Sequence, residues 1–214
     1  MGFIAKEGAT GGAFKRVPAG VHMGRCFSLI DLGTQTKEYQ GEKKEVREIR
    51  ISFELFGEDE DGSPLTIEVD GQEMPMTISK RYTLSLHKKS SLRRDLAAWR
   101  GKDFTDEEAR GFDVSKLMGA YCMLNITHTE SNGKTYANIG GVSPVPKMLA
   151  SAKPKAVHAN VTFDIDQPDM ELFNSFYEGL QNTIASAAEW QKSKAPAPAL
   201  AGGVADLDDD DVPF

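Results

Sequence analysis

Cysteine is nearly absent from this 214-residue chain: only Cys26 and Cys122 occur. They form no CxxC pair and both fall in apolar, strand-like runs, which argues against a disulfide framework and for two buried free thiols. Histidine is scarce as well. His22, His87, His128 and His158 show no HxxxH spacing, so no metal site is expected. No run approaches the roughly 18 apolar residues that would span a bilayer. The opening "MGFIAKEGATGGAFKR" lacks the apolar centre of a secretory signal, so a cytoplasmic protein is expected. A GxSxG elbow is missing, and no serine–histidine or cysteine–histidine arrangement can be picked out, so neither an enzyme nor a cofactor is expected. The Gly133-Lys134-Thr135 triplet of "SNGKTY" looks like the end of a phosphate-binding loop. That loop needs glycine where His128 stands, and a hairpin turn presents no helix-terminal amides. The carboxylates of "DIDQPDME" are explained by helix capping; a metal-dependent nuclease would need scattered carboxylates to converge.

What is present is charge, unevenly spread. The formal net charge is −7, of which Asp206, Asp208, Asp209, Asp210 and Asp211 supply five units, leaving −2 for the remainder. Glu58, Asp59, Glu60, Asp61, Glu68, Asp70 and Glu73 lie in a 57–73 stretch without lysine or arginine; setting these seven aside as well leaves +5. The acidic total therefore hides a basic body, and its sign does not exclude a nucleic-acid partner.

Strand patterns come first along the chain. Residues 1–20, rich in glycine and small side chains, read as a flexible arm, and "VHMGRCFSLIDL" as a strand that coils or bulges at Gly24. "GTQTKEYQGEKKE" reads as a polar loop. Arg47, Ile49, Ile51, Phe53 and Leu55 then alternate with Glu48, Arg50, Ser52 and Glu54, the period-2 signature of a half-buried strand. The acidic insert holds a small hairpin around Asp70-Gly71, with Pro75 confining its second arm to an edge. A third strand covers 78–87, with Ile78, Tyr82, Leu84 and Leu86 on one side. Ser90 or Ser91 caps a helix carrying Leu92, Leu96 and Trp99 and ended by Gly101, followed by short helical turns in "FTDEEARGFDVSKLMG". Strands at 121–129 and 135–142, joined at Asn132-Gly133, close the set.

Three strands, a helix and two strands is the arrangement of an OB-fold, a five-stranded Greek-key barrel. The fold class expected is mainly β with helices, carrying an acidic hairpin insert, a C-terminal amphipathic helix and a flexible acidic tail. The boundaries are a 1–20 arm, a 21–150 OB-fold domain, a 151–192 connector and helix, and a 193–214 linker and tip. On the 169–192 helix, Phe173, Phe176, Tyr177, Leu180 and Ile184 form a stripe that packs on its own domain or forms a seam between two chains.

Basic and aromatic side chains gather where an OB-fold binds nucleic acid, on strands two and three and the loops joining strands one–two and four–five. The candidates are Lys37, Tyr39, Lys43, Lys44 and Arg47 in the first loop, Arg50 on strand two, Lys80, Arg81 and Tyr82 on strand three, and Lys134 and Tyr136 in the last hairpin. Cations there neutralise phosphates, and tyrosines offer platforms for unstacked bases. Tyr82, in register with Leu84 and Leu86, could equally be core. Lys88, Lys89, Arg93, Arg94 and Arg100 either extend that path or form the wet face of the helix.

The segment "DLDDDDVPF" resembles the C-terminal tip of bacterial single-stranded DNA-binding proteins: an acidic run, an aliphatic residue, proline and phenylalanine. The resemblance implies a docking peptide in which Asp208, Asp209, Asp210, Asp211, Val212, Pro213 and Phe214 bind partner enzymes through an apolar pocket rimmed by basic residues. The body does not carry that family's barrel sequence. "CFSLIDLGTQ" and "YTLSLHKKSSLRRDLAAWRGKDFTDEE" resemble instead small phage-encoded proteins found with replication and recombination genes. Together the resemblances imply a phage protein that coats single-stranded DNA and recruits replication or recombination enzymes in the host cytoplasm. The alternative is an OB-fold adaptor that binds mainly proteins.

Overall fold

The computed structural model describes residues 15–39 and 41–194. The arm up to residue 14, and the linker and tip from residue 195 on with every residue of the docking-peptide assignment, lie outside the described residues.

The protein is mainly β with helices. A sheet with the order β5-β2-β1-β6-β7 is built from β1 (Gly20–Tyr39), β2 (Glu42–Phe56), β5 (Thr77–Thr83), β6 (Tyr121–Ser131) and β7 (Lys134–Ser143). Neighbours along it run antiparallel, and β8 (Val161–Phe163) adds to β1 in parallel. The hairpin β3 (Thr66–Val69) and β4 (Gln72–Pro75) stands apart as a two-stranded sheet. It turns at Asp70-Gly71 with φ of 50° and 77°, as the acidic insert suggests. α1 (Ser91–Arg100) falls between β5 and β6, with Ser90 accepting from the Leu92 amide at its start and Gly101 in the left-handed region at its end. No helix among the described residues is long and apolar enough to cross a membrane.

The expected closed barrel is not formed as a continuous ladder. The edges β5 and β7 are not paired; Lys80 Nζ bridges them, donating to the Ile139 carbonyl on β7 at 3.0 Å and to Asp95 of α1 at 2.7 Å. A side chain and a helix thus occupy the place where backbone bonds would close the sheet.

Two further expectations change. The polar stretch after strand one is not a loop but the outer half of a long β1–β2 ribbon, paired from Thr34↔Arg47 to Tyr39↔Glu42. Its turn passes through Gly41 at φ 83°, a left-handed position suited to glycine. Within β1, Gly24 keeps regular pairing, and the irregularities fall between Cys26/Ser28 and Asp31/Gly33. Gly24 instead allows close approach: a Cβ there would come within 2.6 Å of Leu124 Cδ1.

The main core lies between the sheet's inner face and α1, where Ile51, Phe53, Leu55, Leu92, Leu96 and Leu124 are buried. Cys26 and Cys122 are buried and free, as expected. A second core covers the opposite face of β1, where Ile30 and Leu32 meet Phe163, Leu180, Ile184 and Trp190. Burying a large apolar side chain contributes about 1.5–3 kcal/mol, so this cluster is what fastens the C-terminal segment to the sheet.

That segment is not one helix. It breaks into α2 (Met170–Ser175), α3 (Glu178–Ala185) and α4 (Ala188–Lys194). Asp169 caps α2. Phe176 and Tyr177 are extended, and Gln181 Nε2 donates to the carbonyls of Phe173, Asn174 and Phe176 freed by the break. The break lets Phe176 turn inward onto Phe163, with ring centroids 5.5 Å apart, while Tyr177 leaves the stripe and stands 61% exposed.

Candidate nucleic-acid interface

The site is built on the outer face of β2 and β5. Register places Arg50 opposite Arg81, Ser52 opposite Ser79 and Glu48 opposite Thr83, so these side chains share one face. Strict alternation makes β2 two-sided, as its sequence pattern says. Its polar side is nevertheless covered at both ends: Glu48, Ser52 and Glu54 are all buried. Glu54 Oε1 accepts from Arg25 Nη1 at 2.5 Å, and its Oε2 accepts from the amides of Val157 at 3.2 Å and His158 at 2.9 Å and from His158 Nδ1 at 3.0 Å. Burial pushes the Glu54 carboxyl up, but these donors together outweigh it and hold the group below the usual carboxylate range.

Between these ends the face stays open. Arg50 Nε donates to Ser79 Oγ at 2.9 Å, and its guanidinium carbon lies 5.6 Å from the centroid of the Tyr177 ring. Arg81 is exposed, and its guanidinium has no hydrogen bond or ion pair among the described residues. Beside them runs a groove of about 660 Å³ whose walls include Phe27, Ser28, Ser52, Ser79, Phe176 and Tyr177.

The other candidates divide sharply. Lys43 and Lys44 on the ribbon are exposed, as are Lys134 and Tyr136 on the β6–β7 hairpin. Lys37 is on the ribbon too, its ammonium 2.5 Å from Glu48. The backbone of Tyr39 pairs with Glu42; its side chain lies outside the described residues. Arg47 is not offered to a ligand: it is ion-paired with Asp31 and, at 2.7 Å, with Asp166. Donating hydrogen bonds to those two carboxylates raises its pKa further. Asp164 lies close to both of these acids, and all three present carboxylate oxygens within 4.8 Å of one another. Lys80 is committed to Asp95 and Ile139, as above. Tyr82 is only 2% exposed and donates to Asp95 Oδ2 at 3.0 Å, so it is a core residue and no platform for a base. Alternation turns Lys80 and Tyr82 inward together, because both lie on the Ile78 side of β5.

In the basic run, Arg93 is structural rather than a wet face or a nucleic-acid path. It is buried, reaching Asp103 at 3.0 Å and the carbonyls of Leu86 and Phe104. Arg100 pairs with Glu108 at 2.5 Å and packs on the Phe104 ring. Lys88, Lys89 and Arg94 remain exposed.

Sequence reasoning missed Tyr177 as a surface aromatic, because helical spacing placed it in the apolar stripe. It also passed over Lys147, Lys153 and Lys155, exposed on the connector, although no carboxylate occurs between Glu130 and Asp164. Comparison with protein-family models and with curated proteins finds no match.

Proposed function

We propose that this protein binds single-stranded DNA without strong sequence preference, as a non-catalytic coat during phage DNA replication or recombination. The 208–214 segment recruits partner enzymes. The observation that carries this reading is the open face of β2–β5, where Arg50 and Arg81 stand side by side, neither paired with a carboxylate among the described residues, next to a groove with exposed aromatic surface. Support for an OB-fold comes from the sheet order and from the helix inserted between β5 and β6. Exposed cations of the ribbon and the β6–β7 hairpin extend the electrostatic surface along a strand. The acidic tail competes with DNA for these cations.

The test is fluorescence anisotropy with a poly-dT oligonucleotide and a matched duplex at several salt concentrations, using the intact chain and a 1–205 truncation. Expected is tight preference for the single strand, with a log–log salt slope of about −0.7 for each phosphate neutralised. Truncation is expected to tighten binding, and unchanged or weaker binding counts against competition by the tail. Equal affinity for duplex, or insensitivity to salt, would refute the reading. The exposed Ile67 and Val69 on the acidic β3–β4 hairpin favour the adaptor alternative, which predicts micromolar or weaker DNA affinity with partner binding retained.

A further inference from the structure

The groove beside Arg50 has an unusual chemical balance. Among the described residues that line it, Arg50 is the only charged one. The remainder are hydroxyls, among them Ser28, Ser52, Ser79 and Ser175, and apolar or aromatic surfaces, among them Phe27 and Tyr177. Its volume of about 660 Å³ lies within the usual range for ligand sites, roughly 300–1,000 Å³. A cation that makes no ion pair among the described residues favours an anionic group.

Arg50 is held in a ready state. Its Nε is anchored on Ser79 Oγ, while neither terminal nitrogen has a hydrogen bond among the described residues. Two parallel donors of this kind match two oxygens of a phosphate. The aromatic neighbour is held as firmly. Tyr177 sits at the extended break between α2 and α3, and its ring lies against the backbone of Gly179, where an added Cβ would come within 3.1 Å of Cε2. The glycine lets the ring lie low over the groove instead of being lifted from it.

We propose that Tyr177 and Arg50 form a nucleotide subsite: one base of the bound strand packs on the Tyr177 ring, and the adjoining phosphate pairs with the Arg50 guanidinium. This rests on the single-stranded DNA reading and adds that the C-terminal helical segment, not the sheet alone, supplies the stacking surface. Packing of a base on an aromatic ring is tolerant of sequence, because each base has a π face.

The experiment uses the full chain with fluorescein-labelled poly-dT and the same strand carrying abasic residues. Tyr177→Ala is expected to weaken poly-dT binding by roughly 5- to 150-fold, the effect of one lost stacked base. Its salt slope stays unchanged, and abasic-strand binding matches the parent. Tyr177→Phe restores affinity. Arg50→Ala lowers the slope magnitude by about 0.7. In Tyr177→Trp, the added indole emission is quenched when poly-dT is bound. Because Tyr177 is mostly exposed, melting curves of its variants are expected to overlay the parent's. Unchanged poly-dT affinity in Tyr177→Ala with no quenching in Tyr177→Trp would overturn the subsite while leaving the DNA-binding reading intact. An equal loss on the abasic strand would also overturn it. Failure of the parent chain to bind poly-dT would remove both.

Discussion

Glu54→Gln tests whether a buried ion pair holds the C-terminal segment on the sheet. Glu54 is 0% exposed and the side chain of Arg25 8%, so the pair is cut off from water. Arg25 also donates to the His158 carbonyl at 3.1 Å and to Asn160 Oδ1, and Glu54 accepts the Val157 and His158 amides, so both partners grip the same strap. Glutamine preserves the shape but removes the countercharge and turns an NH2 group toward groups that are themselves donors. Removing one member of a buried pair costs about 3–5 kcal/mol. At roughly 2–4 °C per kcal/mol for a chain of this size, the melting midpoint should fall by roughly 6–20 °C. Trypsin should also cut sooner after Lys155, because release of the strap frees the connector. The double variant Arg25→Met with Glu54→Leu removes both charges but leaves the Val157 and His158 amides without an acceptor. It should recover only part of the loss, each orphaned amide costing about 1–3 kcal/mol. The sign with pH is fixed: a carboxyl held below its ordinary value of 4.5 contributes full stability above that value and loses it as pH falls through the folded-state pKa. Glu54→Gln should therefore have a flatter acid limb than the parent. A midpoint within about 2 °C of the parent, with unchanged proteolysis, would refute this account.

Three more perturbations address other parts of the fold. Gly33→Ala combines a left-handed φ of 69° with a Cβ placed 2.6 Å from that of Ala187; strain and overpacking together should cost about 2–5 kcal/mol, read as a drop in the urea midpoint. Tyr82→Phe removes the bond to buried Asp95 and should cost about 1.5–3 kcal/mol in urea unfolding while leaving single-strand affinity unchanged; the opposite pattern would put Tyr82 in the interface. Burial pushes the Cys26 thiol up to about 12 and raises that of Cys122 as well, so neither should react with a thiol reagent at pH 8 until denaturant is added. Rapid labelling of the native chain would contradict the burial.

The features legible in the sequence are those decided by neighbours in the chain. Positive φ at Asp70 and Asn132, each followed by glycine, fixes the two hairpin turns that the dipeptides announce. Ser90 and Gly101 bound α1 because a cap needs only the adjacent amides and carbonyls. Period-2 alternation in β2 likewise identifies the strand and its two sides. It does not say what covers each side. The polar side of β2 is buried by groups 103 and 104 residues away, which supply the amides for Glu54. The break in the 169–192 helix escapes for a related reason: the stripe has helical spacing, but Phe176 reaches Phe163 only if the chain leaves the helical path.

Charge density fails as a guide to which cations are available for the same cause, as β2 shows. Arg47 and Arg50 are three positions apart on β2 and equally basic in the sequence. Arg47 is enclosed by Asp31, 16 residues away in the chain, and Asp166, 119 residues away. Among the described residues, the Arg50 guanidinium meets the Ser79 hydroxyl and the Tyr177 ring and no carboxylate. A guanidinium already held by two carboxylates gains little from a phosphate, since the exchange breaks bonds of the same kind as it forms. One held by a single neutral hydroxyl gains a new charge-assisted pair. The availability of a cation is thus set by where distant carboxylates fold, and on this sheet that criterion selects Arg50 and Arg81 over Arg47 and Lys80.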